Sequence, residues 1–167
     1  EKGRYLSARK TSRGKATINI LKTILPEVIL ATPFPKSMRW ADFSIQFARP
    51  IHTIVALYGS KVVSFSLERG IKSGRNTLGH MFMNPAKVAI ASPETYVEAM
   101  DAVNVVVDID KRREMTAKEV ADAAAKLGGK VLPDEELLDI VTNLVEMPIA
   151  TAGKFDDIFL EVPQEIL

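Results

Sequence analysis

Cysteine is absent from the 167 residues, and aromatic side chains make up only 7% of them, with a single tryptophan. A chain without cysteine forms no disulfide, offers no thiolate nucleophile and builds no Cys-ligated zinc site. That absence fits a reducing compartment, and cytoplasmic localisation is the expectation. Long hydrophobic runs are missing too. The longest stretches free of Asp, Glu, Lys and Arg, Pro50–Ser60 and Asn76–Ala86, are 11 residues each, whereas a membrane-spanning helix needs roughly 18 or more. Neither a transmembrane segment nor a membrane partner is expected. A secretory leader would join a basic start to an apolar run, but Lys2, Arg4, Arg9, Lys10, Arg13 and Lys15 are interleaved with polar residues. What is present suffices for a core, because a chain of this length buries roughly 70% of its unfolded surface.

The net charge of +1 hides a polarity along the chain. Residues 1–87 carry 15 Lys and Arg against 4 Asp and Glu, and residues 88–167 carry 7 against 17. A basic half can approach nucleic acid while an acidic half docks on a basic partner, or the two can neutralise each other within one fold. At the end of the chain, Pro163-Gln164-Glu165-Ile166-Leu167 has the pattern of a helix beginning, with Pro first and an acid near the positive end. With Glu1 rather than Met at the start, the expectation is a piece cut from a longer parent on both sides.

Tyr5–Lys10 reads as a short edge strand ended by Thr11-Ser12-Arg13-Gly14. Apolar Ile18, Leu21, Ile24, Leu25, Val28 and Ile29 recur at three- and four-residue steps, predicting a helix over 16–30 with one buried face and a break or kink at Pro26. Thr32-Pro33-Phe34-Pro35 is an extended connector. Phe43, Ile45 and Phe47 alternate with polar residues, Ile51–Tyr58 is β-branched and apolar, and Val62–Leu67 alternates again after Gly59-Ser60, so the last two read as a hairpin. Turns or a bulged strand are expected over Ile71–Met83, and a strand over Lys87–Ala91.

From Ser92 the period changes. Ser92-Pro93-Glu94 starts a helix to about Ala102, and Val103–Val107 reads as a strand. Asp108 or Asp110 then caps a helix whose face is Ala117, Val120, Ala121, Ala124 and Leu127, stopped by Gly128-Gly129. A last helix starts at Pro133 and buries Leu137, Leu138, Val141 and Leu144. The fold class is mixed α/β or α+β, a sheet with packed helices and no repeat. Residues 1–167 read as one module, with a sub-boundary near 84–92 between a β-rich basic part and a helix-rich acidic part.

Catalytic motifs are missing. Gly70-Ile71-Lys72-Ser73-Gly74 places its serine one residue late for a nucleophile elbow and reads as a glycine turn. Gly128-Gly129-Lys130 is followed by Val131 where a phosphate loop needs Ser or Thr. His52 and His80, even with Asp42 or Glu146, lack metal-ligand spacing, and His52 reads as hydrogen-bonded in or beside its strand. No catalytic residue and no metal site is expected. Arg39, Trp40, Arg49, Arg69, Lys72 and Arg75 are cations around an aromatic, the mixture that meets phosphates and stacks on bases. Such residues also cap and pack in ordinary folds.

Met38-Arg39-Trp40 and Phe47-Ala48-Arg49-Pro50-Ile51-His52 resemble the β subunit of the two-subunit bacterial glycyl-tRNA synthetase. The likeness continues through Gly70-Ile71-Lys72-Ser73-Gly74-Arg75 and Thr77-Leu78-Gly79-His80-Met81-Phe82, which match a G-I-x-S-x-R-x-x-x-G-H-x-F stretch. Ser92-Pro93 with Tyr96 and Asp110-Lys111-Arg112-Arg113 follow in order. Leu144-Val145-Glu146-Met147-Pro148 matches L-V-E-W-P, and Gly153-Lys154-Phe155-Asp156, Phe159-Leu160 and Pro163 come after it. Together these motifs cover roughly 130 residues. Met147 stands where the family usually has Trp, and Met81 where it usually has Arg.

The resemblance implies a segment from the N-terminal half of a subunit of glycine–tRNA ligase, which joins ATP, glycine and tRNA-Gly to give glycyl-tRNA, AMP and diphosphate. It implies that ATP and Mg are used at the α subunit, with no cofactor in this segment. The implied fold is similar to the central editing-type module of the phenylalanyl-tRNA synthetase β subunit. The implied partners are the α subunit, tRNA-Gly and other domains of the β subunit. Arg39, Trp40, Arg49, Lys72 and Arg75 are the RNA-contact candidates. The alternatives are a protein-only scaffold whose acidic part, Asp134 to Glu165, faces the α subunit or another β domain, and an editing hydrolase depending on His52 or His80. Glycine is the smallest amino acid, so a synthesis site excludes larger ones sterically and editing is less needed.

Overall fold

The computed structural model of the chain describes residues 6–68, 70–163 and 166. The chain divides into two compact units, one made of residues 1–77 and 89–93 and the other of residues 78–88 and 94–167. Both mix strand and helix, and the described residues form four α-helices and three small sheets.

The first unit opens with α1 (Thr17–Ala31). This helix passes through Pro26 without ending, since proline there removes only the bond to the exposed carbonyl of Lys22. Ile18, Leu21, Leu25 and Ile29 form its inward stripe, but they are only half-buried, and Ile24 and Val28 stand in solvent. The buried face expected from the sequence is therefore partial. The helix packs on β4 (Ser66–Glu68), a three-residue strand too short to cover fifteen helical residues.

The expected strand over 51–58 is divided. β1 (Ile54–Val55) pairs in parallel with β5 (Ile71–Gly74), while β2 (Leu57–Tyr58) turns back on β3 (Lys61–Val62) through Gly59-Ser60. Gly59 has φ +58°, a left-handed value that favours glycine, and the predicted turn stands there. The second predicted strand, 62–67, is divided in the same way into β3 and β4. The three-stranded sheet has the order β1-β5-β4, with β4 antiparallel to β5 and a register shift between Ser66 and Glu68. The Ser73 hydroxyl donates to the Val63 carbonyl at 2.7 Å and accepts from the Phe65 N–H at 2.8 Å, so the serine of the glycine-flanked motif serves the backbone. Ala56, Val63, Ile71 and Ile90 are the buried core of this unit.

Two further expectations need correction here. Residues 6–10 form no strand, because their backbone faces no partner ladder and Leu6 is fully in solvent; Tyr5 lies outside the described residues. The alternation at 43–47 yields one bridge, Met38 to Phe47, in place of a strand. The proposed C-terminal helix start falls largely outside the described residues, and Pro163 is not helical.

β6 (Asn76–Leu78) and β7 (Lys87–Ala89) pair as a two-stranded ribbon. In the second unit, the predicted helix from Ser92 is a 3-10 turn, Pro93–Thr95, running into the short α2 (Tyr96–Asp101). Val103–Val107 forms no strand. Val105 N–H goes to Met100 O at the end of α2 and Val106 N–H to Glu146 O, so a helix-end and a loop carbonyl satisfy this backbone where no neighbouring strand is present. Asp108 is the cap of α3 (Ile109–Lys126), accepting from Lys111 N–H at 3.0 Å. Asp134 caps α4 (Glu135–Leu144) through Leu137 N–H at 2.8 Å. Gly128, with φ +70°, ends α3 as expected.

The predicted faces of these two helices are shifted in register. Thr116 is buried, with Arg112, Glu119 and Ala123 half-buried on the same side; of the predicted face Ala124 is half-buried, while Ala117, Val120, Ala121 and Leu127 are exposed. On α4 Thr142 is buried and Leu138 and Val141 are half-buried, while Leu137 and Leu144 are exposed. The two buried threonines return their hydroxyls to the carbonyls of Arg112 and Leu138, at 2.8 and 2.7 Å. A threonine bonded four residues back offers its methyl to the core at little polar cost. Met100 and Val106 complete this core.

Gly79 carries the tightest constraint. A Cβ there would lie 2.7 Å from Val103 Cβ and closer still to the Asn84 carbonyl. Gly79→Ala is expected to cost about 2 kcal/mol through forced backbone movement, read as a lower urea midpoint at unchanged m-value.

Candidate nucleic-acid interface

All five RNA-contact candidates lie in the first unit. Arg39 and Trp40 sit on the loop that the Met38–Phe47 bridge closes, with Met38 N–H to Phe47 O at 2.8 Å and the reciprocal bond at 3.1 Å. The loop is stiffened from within. Phe34 packs edge-on against Phe47 at 4.5 Å, Trp40 tilts against Phe43 at 5.8 Å, and Ser37 Oγ donates to Gln46 Oε1 at 3.1 Å. Ala41 holds φ +48°, a strained value for a side chain with a Cβ, of the kind that a well-determined surrounding structure sustains.

Glu68 fixes this loop to the sheet. Its carboxylate accepts from Ser44 N–H at 2.9 and 3.1 Å, from Ser44 Oγ at 3.1 Å and from Ile45 N–H at 3.3 Å. Glu68 ends β4, the strand whose Ser66 pairs with Lys72 of β5, so the loop bearing Arg39 and Trp40 is tied to the strand beside that of Lys72. Sequence reasoning missed Glu68. Its only signal is that it is one of four acids in the first 87 residues.

The five candidates divide by role. Arg39, Arg49 and Lys72 are exposed, and among the described residues no ion pair engages them. Trp40 is half-buried against Phe43. Arg75 is half-buried and donates to the Ser60 carbonyl at 2.9 Å, bracing the turn between β2 and β3. Arg69 lies outside the described residues. Exposed Arg9, Lys10, Arg13, Lys15, Lys22, Lys36 and Lys61 extend the positive charge of this unit.

The second unit is organised differently. Arg112 donates from Nε to Thr142 O at 2.8 Å, near the negative end of α4, and from a terminal nitrogen to Val106 O. Arg113 reaches Asp139 at 2.6 Å and also pairs with Glu135, and these hydrogen bonds raise its already high pKa further. Arg112 also lines an open cleft of about 370 Å³ with Tyr96, Val105–Val107 and Asn143–Glu146.

His80 Nδ1 accepts from Phe82 N–H at 3.3 Å and Met83 N–H at 3.1 Å, while Nε2 lies 4.0 Å from Glu146. Both ring nitrogens therefore face partners in the fold. His52 is exposed beside β1. Among the described residues no three metal-ligating side chains gather, and no helix is long and apolar enough to cross a membrane.

The family model described as glycyl-tRNA synthetase beta subunit matches residues 1–167. The glycine–tRNA ligase beta subunit of Desulfatibacillum aliphaticivorans is 50% identical over 168 residues, which cover 100% of this chain and 24% of that protein. That of Citrifermentans bemidjiense is 46% identical over 167 residues, and that of Clostridioides difficile 43% identical over 166, each again matching over 24% of its length. These relatives define a class, subunits of an aminoacyl-tRNA ligase. The chain belongs to the glycyl-tRNA synthetase β-subunit family, and it spans about a quarter of the length of the relatives it matches.

Glu68→Ala is expected to release the loop while the rest of the unit stays folded. The protein should lose about 2 kcal/mol of stability, and the emission of its single tryptophan, Trp40, should shift toward that of a solvated indole.

Proposed function

We propose that this chain is a non-catalytic part of the β subunit of glycine–tRNA ligase, and that its first unit meets the phosphates of tRNA-Gly. The observation that carries this reading is the sorting of charge between the two units. The first holds 14 Lys and Arg against 4 Asp and Glu, and the second 8 against 17. In this reading Arg39, Arg49 and Lys72 are the phosphate-facing cations, Trp40 stacks or packs beside them, and Arg75 braces the turn between β2 and β3. Strain at Ala41 and the Glu68 anchor support a loop kept in one shape before any ligand arrives.

The parent in this proposal works in the cytoplasm with the α subunit, which takes ATP, Mg and glycine, while this segment takes none of them. The chain then corresponds to a non-catalytic relative of the editing-type module of the phenylalanyl-tRNA synthetase β subunit. The acidic second unit favours a companion role, in which its surface faces the α subunit or another β domain. An editing role finds less support, because His80 is engaged by backbone N–H groups and His52 stands without a second catalytic partner that the sequence marks.

The test is binding of the assembled αβ enzyme to tRNA-Gly across a salt series, with an unrelated tRNA as control. Arg39→Ala, Arg49→Ala and Lys72→Ala should each weaken binding alike for both RNAs and lower the salt slope by about one unit, at unchanged melting temperature. An unchanged slope in all three variants moves the RNA contact out of this unit and leaves the protein-only scaffold as the better reading.

A further inference from the structure

The turn at Met81-Phe82-Met83 is fixed from several sides and yet aims apolar side chains outward. His80 N–H bonds Val103 O at 3.0 Å, Asn84 N–H bonds His80 O at 3.0 Å, and Gly79 N–H bonds Ala86 O at 2.9 Å. The His80 ring accepts the N–H groups of Phe82 and Met83 from inside the turn. Gly79 lets Asn84 and Val103 close over it where no Cβ would fit. At the tip, Phe82 is 86% exposed, Met81 73% and Met83 44%.

The Phe82 ring lies 6.4 Å from that of His80, centroid to centroid, and is otherwise held in water, so a turn whose backbone is already satisfied gains little from it in its own fold. Apolar tips on rigid turns are the anchor half of an interface, in which an aromatic fills a pocket and flexible methionines adapt around it. We propose that Met81-Phe82-Met83 is a docking knob that seats in an apolar socket on another domain of the same β subunit. The inference rests on the reading that the chain works as part of that subunit.

Three observations select this occupant. Relatives match over only 24% of their length, so most of such a subunit lies outside the chain described. The three side chains offer on the order of 400 Å², about half of what each partner contributes to a stable interface between separate proteins. A contact that small holds well when tethering supplies a high effective concentration, as within one chain. The third is charge. The unit around the knob is acidic, and Glu146, beside His80, is itself exposed, so the fitting socket has a basic rim.

The experiment is peroxide footprinting of the full-length β subunit, alone and in the αβ enzyme, with oxidation of each methionine read by mass spectrometry. Buried Met100, 4% exposed, is the internal protected reference, and N-acetylmethionine amide is the free one. In the β subunit alone, Met81 should oxidise at least tenfold more slowly than the free reference. Phe82→Asp should restore fast oxidation at Met81, and Phe82→Leu should keep it protected.

Fast oxidation of Met81 in the wild-type β subunit overturns the proposal. Protection that appears only when the α subunit is added overturns it as well, and makes that subunit the occupant. Charging of tRNA-Gly by the same αβ preparation is measured in parallel. Failure to charge counts against the ligase reading, whereas the footprint alone decides the docking.

Discussion

Strands of two to four residues leave much of the backbone in the first unit without a ladder, and a polar backbone group shut away from water costs about as much as a lost hydrogen bond. The structure meets that demand with side chains. Glu68 collects the N–H groups at 44 and 45, Ser73 serves both Val63 and Phe65, and Arg75 closes on Ser60. In the second unit Arg112 takes two carbonyls and His80 takes two N–H groups. Polar residues that a motif search would take for chemistry are in large part the means by which short elements hold their shape.

This explains what the sequence disclosed and what it hid. Signals carried by one residue and its near neighbours were legible: the turn at Gly59, the caps at Asp108 and Asp134, the stop at Gly128, the strand at 87–89. Signals that depend on a distant partner were not. The faces of α3 and α4 came out rotated, because an apolar stripe shows where burial is favourable but not which part of a wide arc the neighbours cover. Val103–Val107 had strand composition and no strand to pair with. Glu68 was invisible as an anchor, since its ligands stand 23 and 24 residues away along the chain. The cations of the candidate interface were all visible by composition, and only the structure separates Arg75, which braces a turn, from Arg39, Arg49 and Lys72, which face solvent.

Charge sorting gives the two units different physical tasks. A surface dominated by one sign acts at a distance set by the Debye length, roughly 8 Å at physiological salt, so it steers an encounter before contact is made. The basic unit suits a polyanion. The acidic unit repels one.

Residues 78–88 belong with the later part of the chain, while 89–93 return to the first unit. Neither unit is therefore one uninterrupted piece of sequence. A gene break at any single point yields at least one fragment that lacks part of its own unit or carries part of the other. Two units interleaved in this way do not come apart at any single cut in the chain.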